Sequence, residues 1–194
     1  MLDPEPCLEA FLTSTLVVAL AEIGDKTQLL SLLLAARYKR PQPIVAGILV
    51  ATLANHFVAG ALGAWASSLF APATLRWIVG GSLLAIAAWT LKPDKFDGEV
   101  KESTRYGLFA LTCVVFFVAE IGDKTKIATI VLAAKYQSLG AVVLGTTLGM
   151  MLANVPVVFF GSAASQRIPF KAVRIVAALL FAVLGVAALL GVGA

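Results

Sequence analysis

Glu22 and Asp25 stand three residues apart inside an otherwise apolar run, and Glu120 and Asp123 repeat the arrangement. The segment around the first pair, Ala21-Glu22-Ile23-Gly24-Asp25-Lys26-Thr27, recurs unchanged as Ala119-Glu120-Ile121-Gly122-Asp123-Lys124-Thr125, at an offset of 98 positions (21 to 119). Carboxylate, carbonyl and hydroxyl oxygens are the ligands of hard cations such as Ca²⁺, Mg²⁺ and Mn²⁺. With Cys 2 and His 1 in the whole chain, there is no thiolate–imidazole set for Zn²⁺ or Cu⁺. If the motif is read as a helical turn, Glu22 and Asp25 share a face and Lys26 lies one turn beyond Glu22. The same holds for Glu120, Asp123 and Lys124. One reading makes Glu22–Lys26 and Glu120–Lys124 buried structural locks, which leaves Asp25 and Asp123 without a counter-charge. In the other, preferred here, the two motifs converge, each with two acids and one lysine, and together cage one divalent cation. Glu22, Asp25, Glu120 and Asp123 are then the metal ligands.

The neighbouring residues form an auxiliary set. Gly24 and Gly122, each between two carboxylates, weaken a helix by about 1 kcal/mol and can free backbone carbonyls as ligands; close packing is the plain alternative. Thr27 and Thr125 offer hydroxyls to an ion or bond back to their own helix. Gln28 and Lys126 occupy equivalent positions, so the two halves of the site differ. His56 reads first as a helix-packing residue and second as a ligand or proton acceptor. Asn55 and Asn154 read as bridges between helices ahead of amide-oxygen ligands.

The elements that carry these residues follow from composition. The chain is 60% hydrophobic and 13% charged with a mean hydropathy of +0.94, against about a quarter charged residues in soluble domains. A membrane span needs roughly 20 mostly apolar residues. Six stretches qualify, near 8–36, 43–70, 75–91, 106–135, 139–163 and 172–192. The acidic, proline-rich start, Met1-Leu2-Asp3-Pro4-Glu5-Pro6, lacks the basic region of a signal peptide, so the first span is expected to be retained. Cys7 and Cys113 do not suggest a disulfide framework. The net charge of +4 is no nucleic-acid signal, because the cations gather between spans. Arg37, Lys39 and Arg40 follow span 1, Lys92, Lys95, Lys101 and Arg105 follow span 3, and Arg167, Lys171 and Arg174 follow span 5. The opposite side holds only Arg76 and Lys135. The positive-inside rule then places both termini outside.

The repeat extends beyond the motif. Leu34-Ala35-Ala36-Arg37-Tyr38 matches Leu132-Ala133-Ala134-Lys135-Tyr136, and Gly47, Gly63 and Arg76 align with Gly145, Gly161 and Arg174. The domains expected are a first three-helix repeat at 1–91, a hydrophilic cytoplasmic linker at 92–105 and a second three-helix repeat at 106–194. An odd number of spans per half makes the repeats inverted, an architecture that sets ion sites at the repeat interface. The expected fold is an all-α membrane protein of six transmembrane helices, with Gly145 and Gly149 at a close helix contact and a kink at Pro156. An ionisable residue at the centre of a span costs about 2.5–3.5 kcal/mol. Four carboxylates and two lysines must therefore face one another or water, not lipid.

Two copies of Glu-x-Gly-Asp-(Lys/Arg)-(Ser/Thr), one in each three-span half, resemble the Gdt-type cation/proton exchangers. These are Ca²⁺/Mn²⁺:H⁺ antiporters of Golgi and chloroplast membranes, with bacterial relatives that export manganese. The resemblance covers nearly the whole chain. It implies that Glu22, Asp25, Glu120 and Asp123 bind the cation and accept protons, and that Mn²⁺ or Ca²⁺ leaves the cytoplasm in exchange for H⁺. The transported ion is then the only metal held, and no cofactor is called for. The short linker and missing leader look like the bacterial form, which implies the inner (plasma) membrane; a homodimer is compatible with all of this. The alternatives are an exporter of basic amino acids or another small solute, and a cation channel. An intramembrane enzyme is not expected, since no His-Glu-x-x-His or nucleophile–base set occurs.

Overall fold

The computed structural model describes residues 4–92, 107–161 and 169–192. Within them the chain forms α1 (Pro4–Glu22), α2 (Lys26–Tyr38), α3 (Pro41–Ser67), α4 (Pro72–Thr90), α5 (Gly107–Ala119), α6 (Lys124–Tyr136), α7 (Leu139–Phe160) and α8 (Phe170–Leu190). Local chemistry sets most boundaries. Pro41 and Pro72 open α3 and α4, where the missing N–H and fixed φ suit a first turn. Lys39 and Gln137, equivalent in the repeat, end α2 and α6 in the left-handed conformation, and their N–H groups return to Ala35 and Ala133. α7 continues through Pro156 to Phe160. Of the linker 92–105, all but Lys92 lies outside the described residues, as does Arg167.

Polarity is inverted relative to a soluble bundle. Leu8, Leu12, Leu16, Phe57, Trp77, Val114, Leu148 and Leu179 are exposed on the perimeter, whereas Glu22, Asp25, Glu120, Asp123, Asn55, His56 and Asn154 are buried. Such a surface fits hydrocarbon, where exposed apolar groups cost nothing and interior polar groups pair with one another. α3, α4, α7 and α8 are each long and apolar enough to cross a membrane.

The structure departs from the sequence reading at the two motif-bearing stretches. Stretch 8–36 is not one helix: α1 stops at Glu22, α2 starts at Lys26, and their axes meet at 68°. The pair counts as a fifth candidate span if taken together. Stretch 106–135 is likewise split into α5 and α6, of 13 residues each. Glu22 and Asp25 therefore do not share a helix face.

The halves pack through each other. α1 lies along α7, α2 touches α7 and α5, α3 is flanked by α5 and α6, and α4 lies along α8. Glycines make these crossings close. A Cβ on Gly145 or Gly149 of α7 would stand 2.5 Å from the Phe11 carbonyl or 2.6 Å from the Thr15 carbonyl of α1, and one on Gly63 of α3 only 2.1 Å from the Ile130 carbonyl of α6. Backbone cannot yield as a side chain can, so Gly63→Ala or Gly149→Ala should destabilise the bundle by about 1–3 kcal/mol, the usual range for overpacking. Gly81→Ala, which meets nothing within 4 Å, should be neutral. Thermal melts of the detergent-solubilised variants check this; equal melting temperatures would refute the close-crossing account.

Candidate ion-binding site

The site is built where two helices break. Gly24 and Gly122 take φ of +80° and +74°, a region glycine enters without the steric penalty other residues meet. The N–H of Asp25 returns to the Glu22 carbonyl at 3.0 Å, and that of Asp123 to the Glu120 carbonyl at 3.1 Å. Each aspartate thus becomes the extended N-cap of the next helix. Aspartate suits that position because its carboxylate meets the free N–H groups and the positive end of the helix dipole. Asp123 does so literally, accepting from the Thr125 N–H at 3.2 Å and the Thr125 hydroxyl at 2.9 Å. In the first motif the Gln28 side-chain oxygen accepts the Gly24 N–H at 2.9 Å.

Between the motifs the charges cross over. The Lys26 ammonium lies 3.0 Å from Asp123, and the Lys124 ammonium bonds the Asp25 carboxylate. This overturns the alternative reading of buried locks within each turn, Glu22 with Lys26 and Glu120 with Lys124. The helix break carries each lysine away from its own glutamate, and the aspartate of the opposite motif receives it. Asp25 and Asp123 are the compensated acids; Glu22 and Glu120 are the two without a lysine bridge among the described residues. Thr27 donates its hydroxyl to Glu22 Oε2, leaving Oε1 with no hydrogen-bond donor among the described residues.

Glu22, Asp25 and Asp123 each bring a carboxylate oxygen into a group whose members all lie within 4.8 Å of one another, fully buried. Carboxylates so spaced and buried repel one another, and lysines offset the charge of two of the three. Glu120 belongs to the same buried region but turns toward α3. Its Oε1 accepts the Thr52 hydroxyl at 3.0 Å, and its Oε2 lies 3.9 Å from His56 Nε2.

The amides act as bridges. Asn55 of α3 donates to the Phe117 carbonyl at 3.2 Å and accepts from Lys126 at 2.7 Å. Asn154 of α7 accepts from Ser31 of α2 at 2.7 Å and donates to the Met150 carbonyl at 3.0 Å. Gln28 donates to the Ala153 carbonyl at 3.0 Å. Each post-break helix is thereby tied to the long helix of the opposite half. Sequence reasoning missed Thr52 and Ser31. Thr52 stands three and four residues before Asn55 and His56, a polar stripe on one helix face that would have exposed it.

The two motif turns have different surroundings. A Cβ on Gly24 would stand 2.7 Å from the Phe170 ring of α8, whereas one on Gly122 would meet nothing within 4 Å. The Lys26 side chain is 23% exposed and that of Lys124 only 4%.

Comparison with known proteins agrees with this chemistry. The model of the family described as "Divalent cation/proton antiporter GDT1" matches residues 10–98 and 108–193. The chain is 50% identical over 184 residues to a Vibrio cholerae serotype O1 protein named "Putative manganese exporter", covering 94% of this chain and 92% of that one. It is 29% identical over 198 residues to GDT1-like protein sll0615 of Synechocystis, covering 90% and 93%. With GDT1-like protein 5 of Arabidopsis thaliana the identity is 28% over 221 residues, covering 94% and 96%. No solved structure matches. A family match over nearly the whole chain, on a buried acidic site of this kind, places this integral membrane protein in the GDT1 family of divalent cation/proton antiporters.

Proposed function

We propose that the chain exports Mn²⁺ from the cytoplasm, with Ca²⁺ as the lesser substrate, in exchange for protons at the bacterial plasma membrane. The observation that carries this reading is the group of buried carboxylates donated by both motifs, Glu22 and Asp25 from one and Asp123 from the other, within 4.8 Å. Glu120 lies outside that group, against Thr52 and His56, and is assigned here as the fourth acid of the transport cycle. With Asp25 and Asp123 held by lysines, the acids left without a lysine bridge among the described residues are Glu22 and Glu120. One divalent cation neutralises both, and so do two protons. Occupancy by metal and by protons is then mutually exclusive, which is the requirement for exchange. Helix breaks at the site add carbonyls freed at the ends of α1 and α5, as in transporters with interrupted helices.

Six crossings in two inverted halves fit the repeat at offset 98 and the paired breaks, with α1–α2 and α5–α6 each forming one bent span and both termini outside. The unequal turns, Gly24 beneath Phe170 and Gly122 open, suit one state of an alternating-access cycle in which rocking of the halves exchanges the two environments. The relative named for manganese favours Mn²⁺, and the oxygen-rich donor set accommodates Ca²⁺ as well.

Reconstituted in liposomes carrying a pH-sensitive dye, the protein should move protons when Mn²⁺ is supplied. Glu22→Gln and Glu120→Gln should each reduce that flux by more than about 100-fold, beyond the cost of an outer-shell partner; undiminished flux in either would count against the assignment. Lys124→Met should destabilise the fold by about 3–5 kcal/mol, the cost of breaking a buried ion pair. Adding Asp25→Asn should return much of that stability. A double variant as unstable as the single one would show that the crossed pair is not what the lysine serves.

A further inference from the structure

His56 is the chain's single histidine, and its side chain is fully buried on α3. Neither ring nitrogen has a hydrogen-bond partner among the described residues. An imidazole in that state bears the full desolvation of a polar ring, and packing alone does not offset it, since an apolar side chain of similar volume fills the same space. Its Nε2 faces Glu120 Oε2 at 3.9 Å, and that oxygen also lacks a hydrogen-bond donor among the described residues. The gap is too long for a hydrogen bond. It falls inside the span open to two ligands of one ion: with metal–ligand bonds of about 2.1 Å, the donor atoms stand about 3.0 Å apart at a right angle and about 4.2 Å apart when opposite. Thr52, on the same face of α3, fixes the other Glu120 oxygen at 3.0 Å, which leaves Oε2 to point at the imidazole.

The opposite half holds no such donor. The position equivalent to His56 is Asn154, whose amide is committed to Ser31 and Met150. One half therefore supplies a nitrogen at a place where the other supplies a structural bridge.

Resting on the transport reading above, we propose that His56 is a ligand of the transported ion, shared with Glu120, and that it makes the site prefer first-row transition dications over Ca²⁺ and Mg²⁺. Ca²⁺ and Mg²⁺ take oxygen ligands, whereas imidazole nitrogen binds first-row metal ions with an affinity that rises from Mn²⁺ toward Cu²⁺. Replacing His56 by an amide converts a mixed nitrogen–oxygen site to an all-oxygen one and shifts preference toward Ca²⁺.

Because the chain has one histidine, Mn²⁺ itself is the probe. Pulsed EPR of Mn²⁺ bound to the full chain, purified with its affinity tag removed, should show ¹⁴N coupling from imidazole, and His56→Asn should abolish it. In proteoliposomes the ratio of apparent affinities, Mn²⁺ over Ca²⁺, should fall at least about 10-fold in His56→Asn, the scale on which a metal-site partner acts. Mn²⁺-driven proton flux in a protein whose bound Mn²⁺ shows no ¹⁴N coupling would overturn the ligand and leave the transporter. Coupling without flux would keep the ligand and remove the transporter. An unchanged affinity ratio in His56→Asn overturns the selectivity role.

Discussion

The bundle depends on charges that cannot be neutralised within the half that carries them. Lys26 reaches Asp123 and Lys124 reaches Asp25, so each motif supplies the counter-ion the other needs. In a low-dielectric interior an unpaired ammonium or carboxylate is costly by several kcal/mol even after relaxation. Neither half can bury its motif alone, and the interleaved packing of α1 and α2 on α7, and of α5 and α6 on α3, follows from that need. The crossing also sorts the four acids: the two aspartates hold lysine partners, and among the described residues the two glutamates do not.

Helix breaks make the crossing geometrically available. In an unbroken helix, Lys26 would lie one turn from Glu22 and satisfy it locally, leaving the aspartates stranded. The left-handed turns at Gly24 and Gly122 swing the aspartates to the N-termini of α2 and α6, where the dipole favours negative charge. The glutamates stay at the ends of α1 and α5 among carbonyls that favour a cation. One glycine per motif thus separates the acids into two electrostatic environments.

The shell around this centre is tightly packed at the helix crossings and uneven at the turns. Backbones approach through Gly63, Gly145 and Gly149 with no room for a methyl group, and the amides of Gln28, Asn55 and Asn154 tie the post-break helices to α3 and α7. Against that packed frame, Phe170 lies on the first turn while the second stands clear. A structure built from two copies of one sequence motif need not be symmetric at any instant, because the copies meet different partners: Gln28 where the other has Lys126, Asn154 where the other has His56.

Much of this was readable before any coordinates. The excess of apolar residues required a membrane or a very large core, and the repeat at offset 98 marked two equivalent halves. Isolated acids in apolar runs had to converge away from lipid; burial of Glu22, Asp25, Glu120 and Asp123 together follows from that. Partner choice was not readable. Local spacing ranks Lys26 as the neighbour of Glu22, and only the path of the chain after Gly24 shows that Asp123 of the other half is nearer. Nor does spacing reveal that Thr52 and His56 of α3 face Glu120. Composition and repetition fix which residues must be buried, because the cost of exposing or isolating a charge depends on residue type. Which buried charge meets which depends on distances between segments far apart in the chain, and those are set only when the helices pack.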